Sequence, residues 1–137
     1  ATDVSAHAVA RARAGRYSSF EVQRGLPVRR LITWFAQDGE EWVASPALMR
    51  SVRYLRHNLV FDVPPPGGFD MILCRNVLFY FPAEVRRDVF ERLANALRPG
   101  GWLVLGAGET MVGQRDLFEP CARYRGFYCR GTGESAV

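Results

Sequence analysis

Apolar residues follow two different spacings along this chain. Val85, Val89, Phe90, Leu93, Ala94 and Leu97 recur every three or four positions, the period of a helix that buries one stripe. Pro82 opens that segment and Arg98-Pro99-Gly100-Gly101 closes it. On either side lie short unbroken apolar runs, Met71-Ile72-Leu73 and Trp102-Leu103-Val104-Leu105, of the kind that form parallel strands buried on both faces. Near the beginning, an alanine-rich run from Ala6 to Ala14 has Ser5 in front as an N-cap and Gly15 behind as a stop, so a helix is predicted there. A last strand is predicted from Arg125 to Arg130, before a frayed Gly-Thr-Gly-Glu-Ser tail.

Between Tyr17 and His57 the pattern is more broken. Pro27 can sit at the first turn of a short helix carrying Leu31, Ile32, Trp34 and Phe35. Asp38-Gly39 is a turn signal, Trp42-Val43-Ala44 a short strand, and Val52 to Arg56 a further strand. These predict a small antiparallel insertion beside the main sheet. Pro64-Pro65-Pro66-Gly67-Gly68 reads as a loop. Strand, helix, insertion, strand, helix, strand and final strand make the later part of a doubly wound α/β domain. The first strand is represented only by its end at Ala1-Thr2-Asp3. With no initiator methionine, the chain is expected to start within a structural element of a longer protein.

Composition narrows the class. The 137 residues, 48% hydrophobic and 23% charged, suffice for one globular domain and argue against long disorder. No apolar run approaches the roughly 20 residues needed to span a bilayer, so no membrane insertion is expected. Cys74, Cys121 and Cys129 form no C-x-x-C pair, and their odd number suits a reduced, cytoplasmic protein. His7 and His57 stand at no ligand spacing, so no metal site is expected. The net charge is +4, and all 18 basic residues are arginine. They are scattered and not interleaved with aromatics, which argues against nucleic-acid binding and equally suits an acidic protein partner.

The candidate chemistry gathers at strand ends, where open α/β sheets bind ligands. Asp3 ends the first strand. Its carboxylate can accept hydrogen bonds from both ribose hydroxyls of a nucleoside, or can simply cap the next helix. Asn58 could read an adenine edge with Leu59 packed on the ring face, or could be a turn residue. Arg75 and Asn76 follow Met71-Ile72-Leu73-Cys74 directly and are the leading binding candidates. The alternative is a structural ion pair of Arg75 with Asp70 or Glu109. Tyr80 lies just beyond, where its hydroxyl could orient a carboxylate or its ring could belong to the core. Gly106, Gly108 and Glu109 follow the next strand; glycines there permit close ligand approach or make a turn. No P-loop, Ser-His-Asp or Cys-His arrangement is found.

Phe69 to Phe81 closely resembles the central motif of the CheR-type chemotaxis receptor methyltransferases, approximately FDxIxCRNVxxYF. Ala1-Thr2-Asp3-Val4-Ser5 resembles that family's ATDI(D/S). Ala12-Arg13-Ala14-Gly15-Arg16-Tyr17 resembles A-R-x-G-x-Y, Asn58-Leu59 resembles x-N-L-x, and Leu97 to Gly101 resembles L-x-P-G-G. The motifs occur in the family's order over nearly the whole chain. Three features depart from the pattern. The family's glycine-rich loop and helical amino-terminal domain are absent here, and Gly106-Ala107-Gly108-Glu109 stands where the family has G-H-S-E.

The resemblance implies a Rossmann-like class I S-adenosylmethionine-dependent methyltransferase fold, truncated at its amino terminus. Residues 1–137 would form a partial cofactor-binding domain, with about 17–57 as a small β-subdomain. It implies S-adenosyl-L-methionine as cofactor and S-adenosyl-L-homocysteine as product. Asp3 would hold the ribose, and Asn58, Leu59, Arg75 and Asn76 would line the pocket. Tyr80 is the catalytic candidate, orienting the substrate. The implied reaction is methylation of glutamate side chains of chemoreceptors, whose cytoplasmic domain, or a related signalling protein, would be the partner. The 137 residues alone are expected to be inactive. The other expectation is a methyltransferase-like domain that has lost catalysis and serves as a binding module.

Overall fold

The computed structural model describes residues 1–65, 68–111 and 116–131. They divide into two compact units, Ala1–Asn58 and Leu59–Val137.

In the first unit, β1 (Thr2–Asp3) leads into α1 (Ala6–Ala14). Ser5 caps α1 by accepting from the Ala8 N–H, and Gly15 closes it at φ 64°, a left-handed conformation that costs glycine nothing. A side chain at Gly15 would also run into Met49, whose Sδ lies 2.8 Å from the place of a Cβ. Next come β2 (Arg16–Ser18), α2 (Ser19–Gln23), α3 (Val28–Trp34), β3 (Phe35–Asp38), β4 (Glu41–Ala44), α4 (Pro46–Arg50) and β5 (Leu55–Arg56). Strands β2, β4 and β3 form an antiparallel sheet in that order. Arg16 of β2 ties together both arms of the β3–β4 hairpin, at 2.8 Å from Asp38 and 2.7 Å from Glu41. Tyr17 stacks edge-on against Phe35. Ser18 and Glu21 form a reciprocal capping box that starts α2.

One strand of the expected antiparallel insertion behaves differently. The predicted strand from Val52 to Arg56 shortens to β5, and β5 pairs parallel to β1, with Thr2 opposite Leu55 and Asp3 opposite Arg56. Parallel partners need a long crossover, and the segment from α1 to α4 supplies it.

The second unit contains β6 (Phe69–Cys74), a 3-10 turn (Leu78–Tyr80), α5 (Ala83–Ala96), β7 (Leu97–Leu105), β8 (Phe118–Pro120) and β9 (Phe127–Arg130). Its sheet has the order β6-β7-β9-β8, with β6 parallel to β7 and the remaining pairs antiparallel. The helical stripe forms as expected. Val89, Phe90, Leu93 and Ala94 bury one face of α5 in a core with Leu97, Leu103, Leu105, Leu78 and Phe118. Pro99, Gly100 and Gly101, expected only to stop the helix, lie within β7, which begins at Leu97 directly after α5.

The expectation that β6 is buried on both faces is corrected. Ile72 and Cys74 point into the core, while Met71 and Leu73 are exposed, Leu73 to 69%. The reason is that alternate residues of a strand face opposite sides, and this unit's core lies against the side of Ile72 and Cys74. Of the Pro64–Gly68 loop, residues 66 and 67 lie outside the described residues, as does the tail from 132 onward.

Candidate functional site

The sequence candidates collect at the carboxyl ends of two parallel strand pairs, one in each unit. In the first unit, Asp3 closes β1. Its backbone carbonyl accepts from the His57 N–H at 3.0 Å, just past the end of β5. Asp3 and Asn58 are thus brought to the same end of the β1–β5 pair. Asp3 Oδ1 accepts from the Ser5 N–H at 2.7 Å. The helix-entry role weighed for Asp3 is therefore filled by one carboxylate oxygen, on an exposed side chain. Asn58 is half-buried. Leu59 is partly buried against the core of the second unit.

In the second unit, Arg75 and Asn76 leave the end of β6, and Gly106 to Glu109 leave the end of β7. Cys74 is opposite Leu105, so the two loops start side by side. Arg75 and Asn76 are exposed. Neither expected ion pair of Arg75 forms: Asp70 pairs with Arg98 at 2.7 Å, and Glu109 faces backbone N–H groups. Among the described residues Arg75 takes part in no ion pair. Asn76 sits at φ 60° and is the described non-glycine residue with positive φ. Asparagine tolerates this region because its short polar side chain bonds locally. Tyr80 is 74% exposed and stacks on Phe79, with ring centroids 4.2 Å apart, so it is not a core tyrosine.

Glu109 organises this loop pair, a role the sequence did not reveal. Its residue is 6% exposed. Oε1 accepts from the Val77 and Leu78 N–H groups at 2.8 and 2.7 Å. Oε2 accepts from Asn76 and Gly106, both at 2.8 Å. Burial by itself would raise the carboxyl's pKa, but the four backbone donors outweigh it and hold the pKa below the ordinary glutamate value. Gly106 is required by this packing: a Cβ there would lie 2.8 Å from Glu109 Oε2 and closer still to Asn76 Oδ1. The available signal was Gly106 and Glu109 three residues apart after a buried strand. Cys74, beneath the loop, has its thiol pushed up to about 11 by burial and by the Glu109 charge.

In the second unit, a guanidinium outside any ion pair among the described residues stands with an amide at the end of β6, beside a glycine without room for a side chain; in the first unit, an exposed carboxylate closes β1. Among the described residues, no group of three His, Cys, Asp or Glu could hold a metal ion, and no helix is long and apolar enough to cross a membrane.

The family model described as CheR methyltransferase, SAM binding domain, matches residues 1–127. The chain is 40% identical over 120 residues to chemotaxis protein methyltransferase 1 of Pseudomonas aeruginosa, covering 87% of this chain and 44% of that protein. It is 38% identical over 120 residues, with the same coverage, to chemotaxis protein methyltransferase Cher2 of Pseudomonas putida. Over 126 residues it is 34% identical to an uncharacterized 104.1 kDa protein of Rhodobacter capsulatus, 13% of whose length is covered. The chain thus spans less than half the length of the methyltransferases it matches.

Proposed function

The chain belongs to the CheR methyltransferase family, in its S-adenosylmethionine-binding domain, and on that premise we propose that its parent protein methylates glutamate side chains of chemoreceptors. S-adenosylmethionine is the cofactor of this domain, and when bound it supplies a methyl group carried on a positive sulfonium.

The chain's own residues are assigned as follows. Asp3 accepts from the ribose hydroxyls with the carboxylate oxygen that does not serve Ser5. Asn58 reads the adenine edge, and Leu59 gives it an apolar neighbour. Arg75 and Asn76 bind the cofactor from the end of β6. Tyr80 directs its hydroxyl at the substrate carboxylate and orients it. A receptor glutamate with an ordinary carboxylate pKa is already ionised at neutral pH, so no general base is required of this chain. What it contributes is placement of the reacting groups, which by itself can lower a barrier greatly. The β-subdomain at about 17–57 remains the proposed insertion, and the cytoplasmic domain of a chemoreceptor the proposed partner, in a cytoplasmic setting.

The observation that carries this reading is the loop after β6. It presents Arg75, Asn76 and Tyr80 to solvent at the carboxyl end of a parallel strand. The test is calorimetric titration of S-adenosylhomocysteine into the full-length gene product. Binding in the micromolar range, weakened by Asp3→Ala, supports the assignment and justifies a methyl-transfer assay on receptor fragments. A well-folded protein that does not bind would favour the other reading, a methyltransferase-like module without catalysis. Ala107-Gly108 motivates that second reading, because the loop after β7 has neither an imidazole nor a hydroxyl at those positions.

A further inference from the structure

Three successive backbone N–H groups, those of Asn76, Val77 and Leu78, converge on one carboxylate at the end of β6. Such a concavity of amides is an anion-binding nest. In many nucleotide-binding folds a phosphate of the ligand fills it. Here it is filled from within by the Glu109 carboxylate, which reaches across from the end of β7 and also accepts from Gly106. Each carboxylate oxygen takes two donors. Asn76 is thereby held at φ 60°, and its Oδ1 lies against Gly106. Arg75 and Asn76 have little else to fix them, because both are exposed and Arg75 is in no ion pair among the described residues.

We propose that Glu109 is the positioning residue of the cofactor site: it never touches the ligand, but its carboxylate sets the one backbone conformation in which Arg75 and Asn76 face it. The proposal rests on the reading that the end of β6 holds the cofactor. A plugged nest leaves no amide donors for a phosphate, which suits a nucleoside cofactor that carries none. Glutamine cannot replace the carboxylate, since its NH2 group would confront two backbone donors with a third donor. Aspartate is shorter by a methylene and cannot span the two loops with the same four bonds.

The test uses the full-length gene product with S-adenosylhomocysteine as probe. Wild-type protein that fails to bind would overturn the cofactor reading together with this one. If the wild type binds, Glu109→Gln is expected to weaken affinity about tenfold or more, because buried donors lose their acceptor. Leu93→Ala serves as comparison: it loosens the core beneath α5 without removing any donor or acceptor of the clamp, and is expected to lower thermal stability while keeping wild-type affinity in the folded protein. Gly106→Ala gives a second route, because its methyl would press on Asn76 Oδ1 and on the Glu109 carboxylate together without removing the charge, and a comparable loss is expected. Amide exchange supplies a readout that global stability does not move: Asn76, Val77 and Leu78 should be protected in the wild type and selectively released by Glu109→Gln. Wild-type affinity in either folded variant at position 109 or 106 would overturn the role. So would amides at 76–78 that exchange in the wild type as freely as an exposed loop.

Discussion

Arg98 Nη1 lies 2.7 Å from Asp70 Oδ1, so one of the two carboxylates that could have neutralised Arg75 is engaged elsewhere. The other, Glu109, is consumed by backbone donors. A guanidinium outside any ion pair among the described residues is thereby left beside Asn76 at the end of β6. Both members of the Asp70–Arg98 pair are largely exposed, and such pairs contribute about 0–1 kcal/mol. Asp70→Asn is therefore expected to change unfolding stability by less than about 1 kcal/mol and to leave S-adenosylhomocysteine affinity unchanged. Arg75→Ala is expected to leave stability within about 0.5 kcal/mol of wild type while weakening that affinity. Urea unfolding and calorimetry on both variants separate the two arginines. Equal affinity in Arg75→Ala and wild type would remove Arg75 from the site.

Tyr80 tests the catalytic assignment apart from cofactor binding. Its ring is exposed and its partner is Phe79, so Tyr80→Phe should be structurally silent, within about 0.5 kcal/mol of wild type. In the full-length protein it is expected to lower methyl-transfer turnover about tenfold or more, through lost orientation of the substrate carboxylate. Cofactor affinity should not change. Full turnover in Tyr80→Phe would show that the hydroxyl is not used.

Acid sensitivity should report the Glu109 clamp. Its folded-state pKa is depressed, so the folded protein binds this proton less readily than the unfolded chain does. The resulting stabilisation is complete above the ordinary glutamate value of 4.5 and is lost as pH falls through the folded pKa. Glu21, lowered to about 2 chiefly by the Ser18 N–H and then by Arg11 and the Ser18 hydroxyl, adds a loss between 4.5 and about 2 in the same direction. Stability measured by denaturant unfolding from pH 7 downward should fall below about pH 4.5. Glu109→Gln should show a shallower fall over that range. Identical pH slopes would mean that the carboxylate is not clamped in solution.

Leu103 is fully buried at the centre of β7, between the parallel and antiparallel halves of its sheet. Leu103→Ala should cost about 2–5 kcal/mol, from lost apolar burial plus the cavity left behind. Urea denaturation checks the magnitude. A loss below about 1 kcal/mol would indicate that the surrounding core collapses into the space.

The three cysteines should differ in reactivity. The Cys74 thiol is buried and raised to about 11, so almost none of it is thiolate at neutral pH. Cys121 and Cys129 are half-buried. A thiol reagent applied to the native protein at pH 7.5 or so should spare Cys74, and Cys74 should react only once the chain is unfolded. Peptide mapping of the labelled protein identifies the site, and early labelling of Cys74 would mean that the end of β6 opens readily.

Much of the fold was legible in short stretches. Ser5, Ala6 to Ala14 and Gly15 set both ends of α1, and the stripe from Val85 to Leu97 gave the buried face of α5. The family was legible as well, because its motifs are strings of neighbouring residues in a fixed order. Less was legible where the sequence carried no local mark. β8 is three residues, Phe118-Glu119-Pro120, too short to show a period, and it exists only because β9 offers an edge. β5 was read as part of an antiparallel insertion, yet its partner is β1, more than fifty positions earlier.

The sequence by itself determined the caps, the turns, the helical stripe and the presence of Arg75, Asn76 and Tyr80 directly after an apolar strand, because those preferences act between residues a few positions apart. Tertiary structure alone decided which carboxylate would meet which donor. Glu109 and the amides of Asn76, Val77 and Leu78 are separated by 33, 32 and 31 positions, and only the parallel register of β6 on β7 brings them within 3 Å. A backbone N–H carries no side-chain signature. A clamp built from backbone donors is therefore invisible in the text of a sequence until folding aligns the strands that bear it.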